Sequence, residues 1–100
     1  MRDPESRVQV GELVRIRNGR DKDQFACVIK VIDERFVLIA DGDKRKVDRA
    51  KRKNITHIEP MKIVVPEVRN SIDETGRVTN AKLRFAISSY LEDHLLKEGD

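Results

Sequence analysis

The sequence predicts a mostly β domain, a small barrel or sandwich of short strands followed by a linker and one C-terminal helix. Three observations predict it. Apolar runs of strand period recur through residues 9–62 with turn residues between them. Apolar spacing of three and four appears only after residue 80. Finally, 100 residues of which 38% are hydrophobic and 39% charged leave room for one small core.

The elements follow in order. Residues 1–8 are expected to be a flexible N-terminus. From Gly11, the residues Leu13, Arg15 and Arg17 alternate with Val14 and Ile16, a period of two that turns Val14 and Ile16 inward. Asn18-Gly19 ends this strand and residues 19–24 form a polar loop. Residues 25–32, rich in β-branched side chains, read as a strand buried for much of its length, with Val28 and Val31 in the core and Cys27 a small buried hydrophobe. After the polar turn Asp33-Glu34-Arg35, residues 36–40 make a third strand with Val37 and Ile39 in the core. Asp41-Gly42 is a hairpin signal, and residues 44–47 are expected to pair back on the third strand. Residues 57–61 alternate again with Ile58 inward, and Pro60 confines this strand to an edge. Residues 63–79, ending in a polar stretch with Asp73, Glu74, Thr75 and Gly76, read as a linker. Asn80 is the expected N-cap of a helix over residues 80–98, whose stripe is Leu83, Ile87, Tyr90, Leu91 and Leu95.

Charge is concentrated in one place. Residues 44–53 hold seven Lys or Arg and one Asp, while both flanks are slightly acidic, so this segment carries essentially all of the net +3. Focused positive charge of this kind is suited to a polyanion. The longest apolar run is five residues, against about 20 for a membrane span, and the N-terminal residues lack the apolar core of a signal peptide. The lone Cys27 has no disulfide partner, as expected in a reducing, cytoplasmic setting. His57 and His94 have no metal-ligand spacing with each other or with Cys27. There is no nucleophile elbow around Ser88 and Ser89 and no phosphate-cradling glycine loop. Neither an enzyme nor a cofactor is expected.

The residues Gly11-Glu12-Leu13-Val14-Arg15-Ile16-Arg17-Asn18-Gly19-Arg20-Asp21-Lys22-Asp23-Gln24, with the strand Val28-Ile29-Lys30-Val31-Ile32, resemble a KOW motif. The likeness continues through Phe36-Val37-Leu38-Ile39, a glycine turn, the Lys/Arg run and Lys53-Asn54-Ile55-Thr56-His57-Ile58-Glu59-Pro60. Over residues 9–62 the chain is similar to large-subunit ribosomal proteins of the "fourteen e" type and to short bacterial KOW-domain RNA-binding proteins. The resemblance implies an SH3-like barrel and RNA binding. Asp23 stands where the family has a second loop glycine, and Asp is among the few residues that tolerate left-handed backbone.

Two charge sources are candidates for one basic face: Arg15, Arg17, Arg20 and Lys22 on the first strand and loop, and Lys44, Arg45, Lys46, Arg49, Lys51, Arg52 and Lys53 on the run. Of the aromatics Phe25, Phe36, Phe85 and Tyr90, three lie in apolar segments, so the RNA contact is expected to rest on phosphates and RNA shape. The expected partner is ribosomal or other structured RNA, with no membrane. A protein partner on the helical stripe, or a protein-interaction adaptor built on the barrel or helix, is the alternative. The helix itself is expected to be separable from RNA binding.

Overall fold

A computed structural model of the chain describes the backbone of residues 8–99 and the side chains of residues 8–93. The expected flexible N-terminus falls outside the described residues except for Val8, as do the side chains of His94 and Leu95. Five strands form one antiparallel sheet: β1 (Glu12–Ile16), β2 (Phe25–Val31), β3 (Phe36–Ala40), β4 (Lys51–Asn54) and β5 (Ile58–Val64). Their order is β4-β3-β2-β1-β5, so the last strand returns to pair with the first. Two helices follow, α1 (Pro66–Thr75) and α2 (Asn80–Gly99).

A 3₁₀ turn of three residues, Ile55–His57, curls the sheet. The Ile55 N–H donates to the Arg35 carbonyl at 2.8 Å beside the β2–β3 turn, and the His57 carbonyl accepts from the Arg17 N–H at 2.9 Å beyond β1. Within one turn the chain therefore passes from one side of the sheet to the other, and the five strands take a barrel-like form. Pro60 sits opposite Val14 on the edge strand β5, where its missing N–H leaves no ladder bond unmade.

Each inner strand is buried on both faces. Val14, Ile16, Ala26, Val28, Val37, Ile39 and Ile58 fill the inside of the curl. Leu13, Cys27 and Ala40 point the opposite way, as strand alternation requires, and pack with Val65, Val68, Val78, Leu83, Ala86 and Ile87 of the helical layer. This is why β2 reads as nearly continuous apolar sequence. Burial pushes the Cys27 thiol up to about 12, so this cysteine is a small hydrophobe held uncharged.

Four expectations need correction. Residues 63–79 are not a linker: β5 runs to Val64, and α1 occupies 66–75 with Pro66 in its first turn and Gly76 closing it in left-handed geometry. Only Val68 and Ile72 mark its inner face, too few for a visible stripe, and the polar residues Asp73 to Gly76 are its last turn rather than a loop. The domain therefore has two helices, not one. Val31 is not core: a bulge between Val28 and Lys30 precedes it, and at the end of β2 it is 41% exposed. Residues 44–47 do not pair with β3, a place taken by β4. Lastly, Thr79 caps α2 by accepting the Lys82 N–H at 3.1 Å, while Asn80 turns its side chain to another task.

Two substitutions test the two cores separately. Leu83→Ala, at the contact of α2 with the sheet, is expected to lower unfolding free energy by about 2–5 kcal/mol. Val28→Asp, inside the curl, buries an unpaired charge and is expected to abolish the cooperative transition. Urea unfolding followed by circular dichroism measures both, and wild-type midpoints would refute the two-core description.

Candidate nucleic-acid interface

The first cationic segment is the loop joining β1 to β2. It is closed by its own backbone: the Lys22 N–H donates to Gly19 at 3.2 Å, Gln24 to Asp21 at 2.9 Å, and Asp23 to Ile16 at 2.7 Å. The last of these bonds accompanies a φ of 72° at Asp23, the left-handed geometry that glycine adopts most readily. Arg17, Arg20 and Lys22 are exposed around this loop.

The second segment is the connection from β3 to β4. The Asp41 carboxylate accepts the N–H groups of Asp43 and Arg45, each at 2.8 Å, while the Arg45 carbonyl accepts those of Asp41 and Gly42. A 3₁₀ turn follows at Val47–Arg49. Its first N–H donates to Asn80 Oδ1 at 2.7 Å, so the residue expected to cap α2 fastens the basic run instead. Those donors are therefore unavailable to a strand at 44–47. Arg84 Nη1 donates to the Gly42 carbonyl at 2.8 Å. A Cβ on Gly42 would lie 2.4 Å from the Asn80 carbonyl oxygen, so only glycine permits this close docking of α2. The first turn of α2 therefore holds the start of the basic run in place.

The strand β4 divides its cations between two faces. Lys51 and Lys53 lie opposite Ile39 and Val37, on the inner side, with half-buried stems. Arg52 lies opposite Leu38 on the outer side, with Cζ 4.0 Å from the centroid of the Phe36 ring.

The two segments meet at one end of the curl. Asp21 and Gln24 of the first loop share a small pocket of about 50 Å³ with Asp41, Lys44, Arg45 and Lys51, over a floor of Ile16, Ala26 and Ile39. Nearby, Lys53 Nζ lies 3.9 Å from the position a Cβ on Gly19 would take. Lys46 and Arg49 are exposed on the same connection.

Arg15 stands apart from this group. Its Nε and Nη2 donate to Glu59 Oε1 at 2.9 and 2.6 Å, and its Nη1 donates to Asp23 Oδ1 at 2.7 Å. The hydrogen bond to Glu59, followed by that residue's charge, raises the guanidinium above its ordinary pKa. Two carboxylates already neutralise this cation, and it braces β1 against β5 and the Asp23 loop. Sequence reasoning also missed Phe36 as the ring beneath Arg52. An Arg and a Phe 16 positions apart carry no signal until the β3–β4 register is known.

No family model matches the chain. It is 41% identical over 71 residues to the Bacillus subtilis (strain 168) protein named "Putative ribosome-binding protein YbzG", covering 71% of this chain and 96% of that one. It is 31% identical over 88 residues to large ribosomal subunit protein eL14 of Hyperthermus butylicus, covering 80% and 90%. With eL14 of Staphylothermus marinus the identity is 30% over 67 residues, covering 67% and 70%. A small curled β domain with clustered cations and two helices behind its sheet is the class the geometry defines. Within that class, the chain belongs to the family of the ribosomal protein eL14.

The unusual residue at 23 is directly testable. Asp23→Ala removes both a partner of Arg15 and a side chain tolerant of left-handed backbone, and is expected to cost about 1–2 kcal/mol. Asp23→Gly restores the backbone and is expected to fall between that variant and wild type in urea unfolding.

Asp33 supplies a pH test. Its carboxylate accepts the N–H groups of Arg35 at 2.8 Å and Phe36 at 2.9 Å, and these bonds hold it below its ordinary pKa of 3.8. A depressed folded pKa means the contribution is present above pH 3.8 and lost as pH falls through the lower folded value. Acidification across that window is expected to destabilise wild type more than Asp33→Ala. Equal losses in urea unfolding at pH 5 and pH 2.5 would refute the assignment.

Proposed function

We propose that this chain is an RNA-binding, ribosome-associated protein of the cytoplasm, with a KOW-type SH3-like barrel that grips structured ribosomal RNA through phosphate contacts. The observation that carries this reading is the meeting of two cationic segments, one from the β1–β2 loop and one from the β3–β4 connection, at one end of the sheet. Membership in a ribosomal protein family supports RNA as the polyanion. Arg17, Arg20, Lys22, Lys44, Lys46 and Arg49 are exposed and suited to phosphate oxygens, whereas Arg15 is engaged by Glu59 and Asp23. Lys51 and Lys53 add charge beside the loop from stems packed over the inner core.

The adaptor alternative loses its main support. Leu83, Ala86 and Ile87 are buried against the chain's own sheet, with Tyr90 and Leu91 packed beside them. Among the described residues of α2, the opposite side carries Phe85, 72% exposed, which a protein partner could meet.

If four to six cations contact phosphate, the log–log salt slope of affinity is expected to be about −3 to −5. Replacing Lys44, Lys46 and Arg49 together by Gln is expected to flatten it by about two to three units with the thermal transition unchanged. Fluorescence anisotropy against a ribosomal RNA fragment at several salt concentrations measures the slope, with circular dichroism as control. Unchanged affinity and slope would make the run a solvated loop and bring the adaptor reading forward.

A further inference from the structure

We propose that Arg52, seated on Phe36, is a stacking platform for one unpaired RNA base. This rests on the RNA-binding reading and adds to it a preference for loops or bulges over uninterrupted duplex. The sequence suggests no stacking surface, because Phe36 lies in an apolar strand. In the structure that ring is only half-buried, and Arg52 Cζ sits over it at 4.0 Å. Phe36 is the diagonal cross-strand neighbour of Arg52, since Leu38 stands opposite Arg52 and Asn54 opposite Phe36.

A guanidinium is planar and has two faces. The Phe36 ring lies beneath the Arg52 Cζ, and Arg52 remains exposed beside the Asp33 carboxylate, which feels its charge. Arginine planes accept unstacked bases, and a pre-positioned side chain loses less freedom on binding. The ring itself is held in place: Asp33 accepts the N–H groups of Arg35 and Phe36, and the Ile32 N–H donates to the Phe36 carbonyl at 3.0 Å. Exposed Ile32, bonded to Phe36 through its N–H, adds an apolar side chain next to this strand.

The surroundings select a nucleic acid. Arg52 lies on the edge strand β4, and its chain neighbours Lys51 and Lys53 project to the other face of that strand. A single strand lying along the edge would meet ammonium groups on one side for its phosphates and the Arg52 plane on the other for a base. Duplex RNA keeps its bases stacked inside and has none to offer.

The test compares two RNAs that share one stem, one closed by a loop of five adenines and one continued as uninterrupted duplex. Arg52→Lys keeps the charge and removes the plane; Phe36→Leu keeps an apolar side chain and the charge of Arg52 and removes the ring. Wild type is expected to prefer the stem–loop by about tenfold, the order of one base stack. Arg52→Lys is expected to lose that preference while its duplex affinity stays within about twofold, because it keeps the charge on which the counterion-release term depends. Phe36→Leu, checked for folding by circular dichroism, is expected to lose most of it. A stem–loop preference unchanged in Arg52→Lys, or no preference in wild type that still binds duplex with a steep salt dependence, would overturn the platform and leave phosphate binding standing. If wild type bound neither RNA at low salt, the RNA-binding reading would fall and the platform with it.

Discussion

The structure depends on a sheet that is buried on both faces. Small and β-branched residues alternate along β1, β2 and β3 so that Val14, Val28 and Ile39 close the inside of the curl while Leu13, Cys27 and Ala40 are left for the helices. A curled sheet of five short strands cannot cover its outer face by itself. Leu83, Ala86 and Ile87 of α2, with Val65 and Val68 at the start of the helical layer, supply that cover. The helices are therefore part of the core rather than an appendage, even though they follow all five strands in the chain.

This packing has a consequence at the charged end. The first turn of α2 lands on the β3–β4 connection, where Asn80 takes the Val47 N–H, Arg84 takes the Gly42 carbonyl, and Gly42 leaves room for the helix backbone. A run of seven like charges repels itself and would by itself be expected to remain extended and mobile. Here its start is pinned by neutral hydrogen bonds to a helix that the apolar layer has already positioned. Burial at one face of the sheet thus organises cations at its end, and folding and ligand recognition share the same contacts.

The cations are not equivalent. Arg15 is spent on Glu59 and Asp23, tying together β1, β5 and the loop that carries Arg20 and Lys22. Arg52 lies on the aromatic ring of Phe36, and Lys51 and Lys53 drape their stems over the inner core. Arg17, Arg20, Lys22, Lys44, Lys46 and Arg49, on the two connections, stand exposed to solvent. A basic patch counted from sequence therefore overstates the charge free to meet phosphate, because carboxylates distant along the chain have already neutralised part of it.

The sequence by itself determined the mostly β class, β1, β2, β3 and a final edge strand within a residue or three of their bounds, and the family, because period-two alternation, turn residues and the Gly11-to-Gln24 motif are local signals. It also marked Asp23 as the glycine substitute and residues 44–53 as the charged segment. Only the tertiary structure decided the rest. The helix α1 was hidden because Val68 and Ile72 make too short a stripe, and its polar last turn imitates a loop. The strand β4 was misplaced because hydrogen bonds from Asp41 and Asn80 take the donors of residues 43–47, and Asn80 is distant in sequence. Which cations are paired, stacked or free was decided by cross-strand register, which sets Arg15 beside Glu59 and Arg52 beside Phe36. Register joins residues far apart in the chain, and no local pattern encodes it.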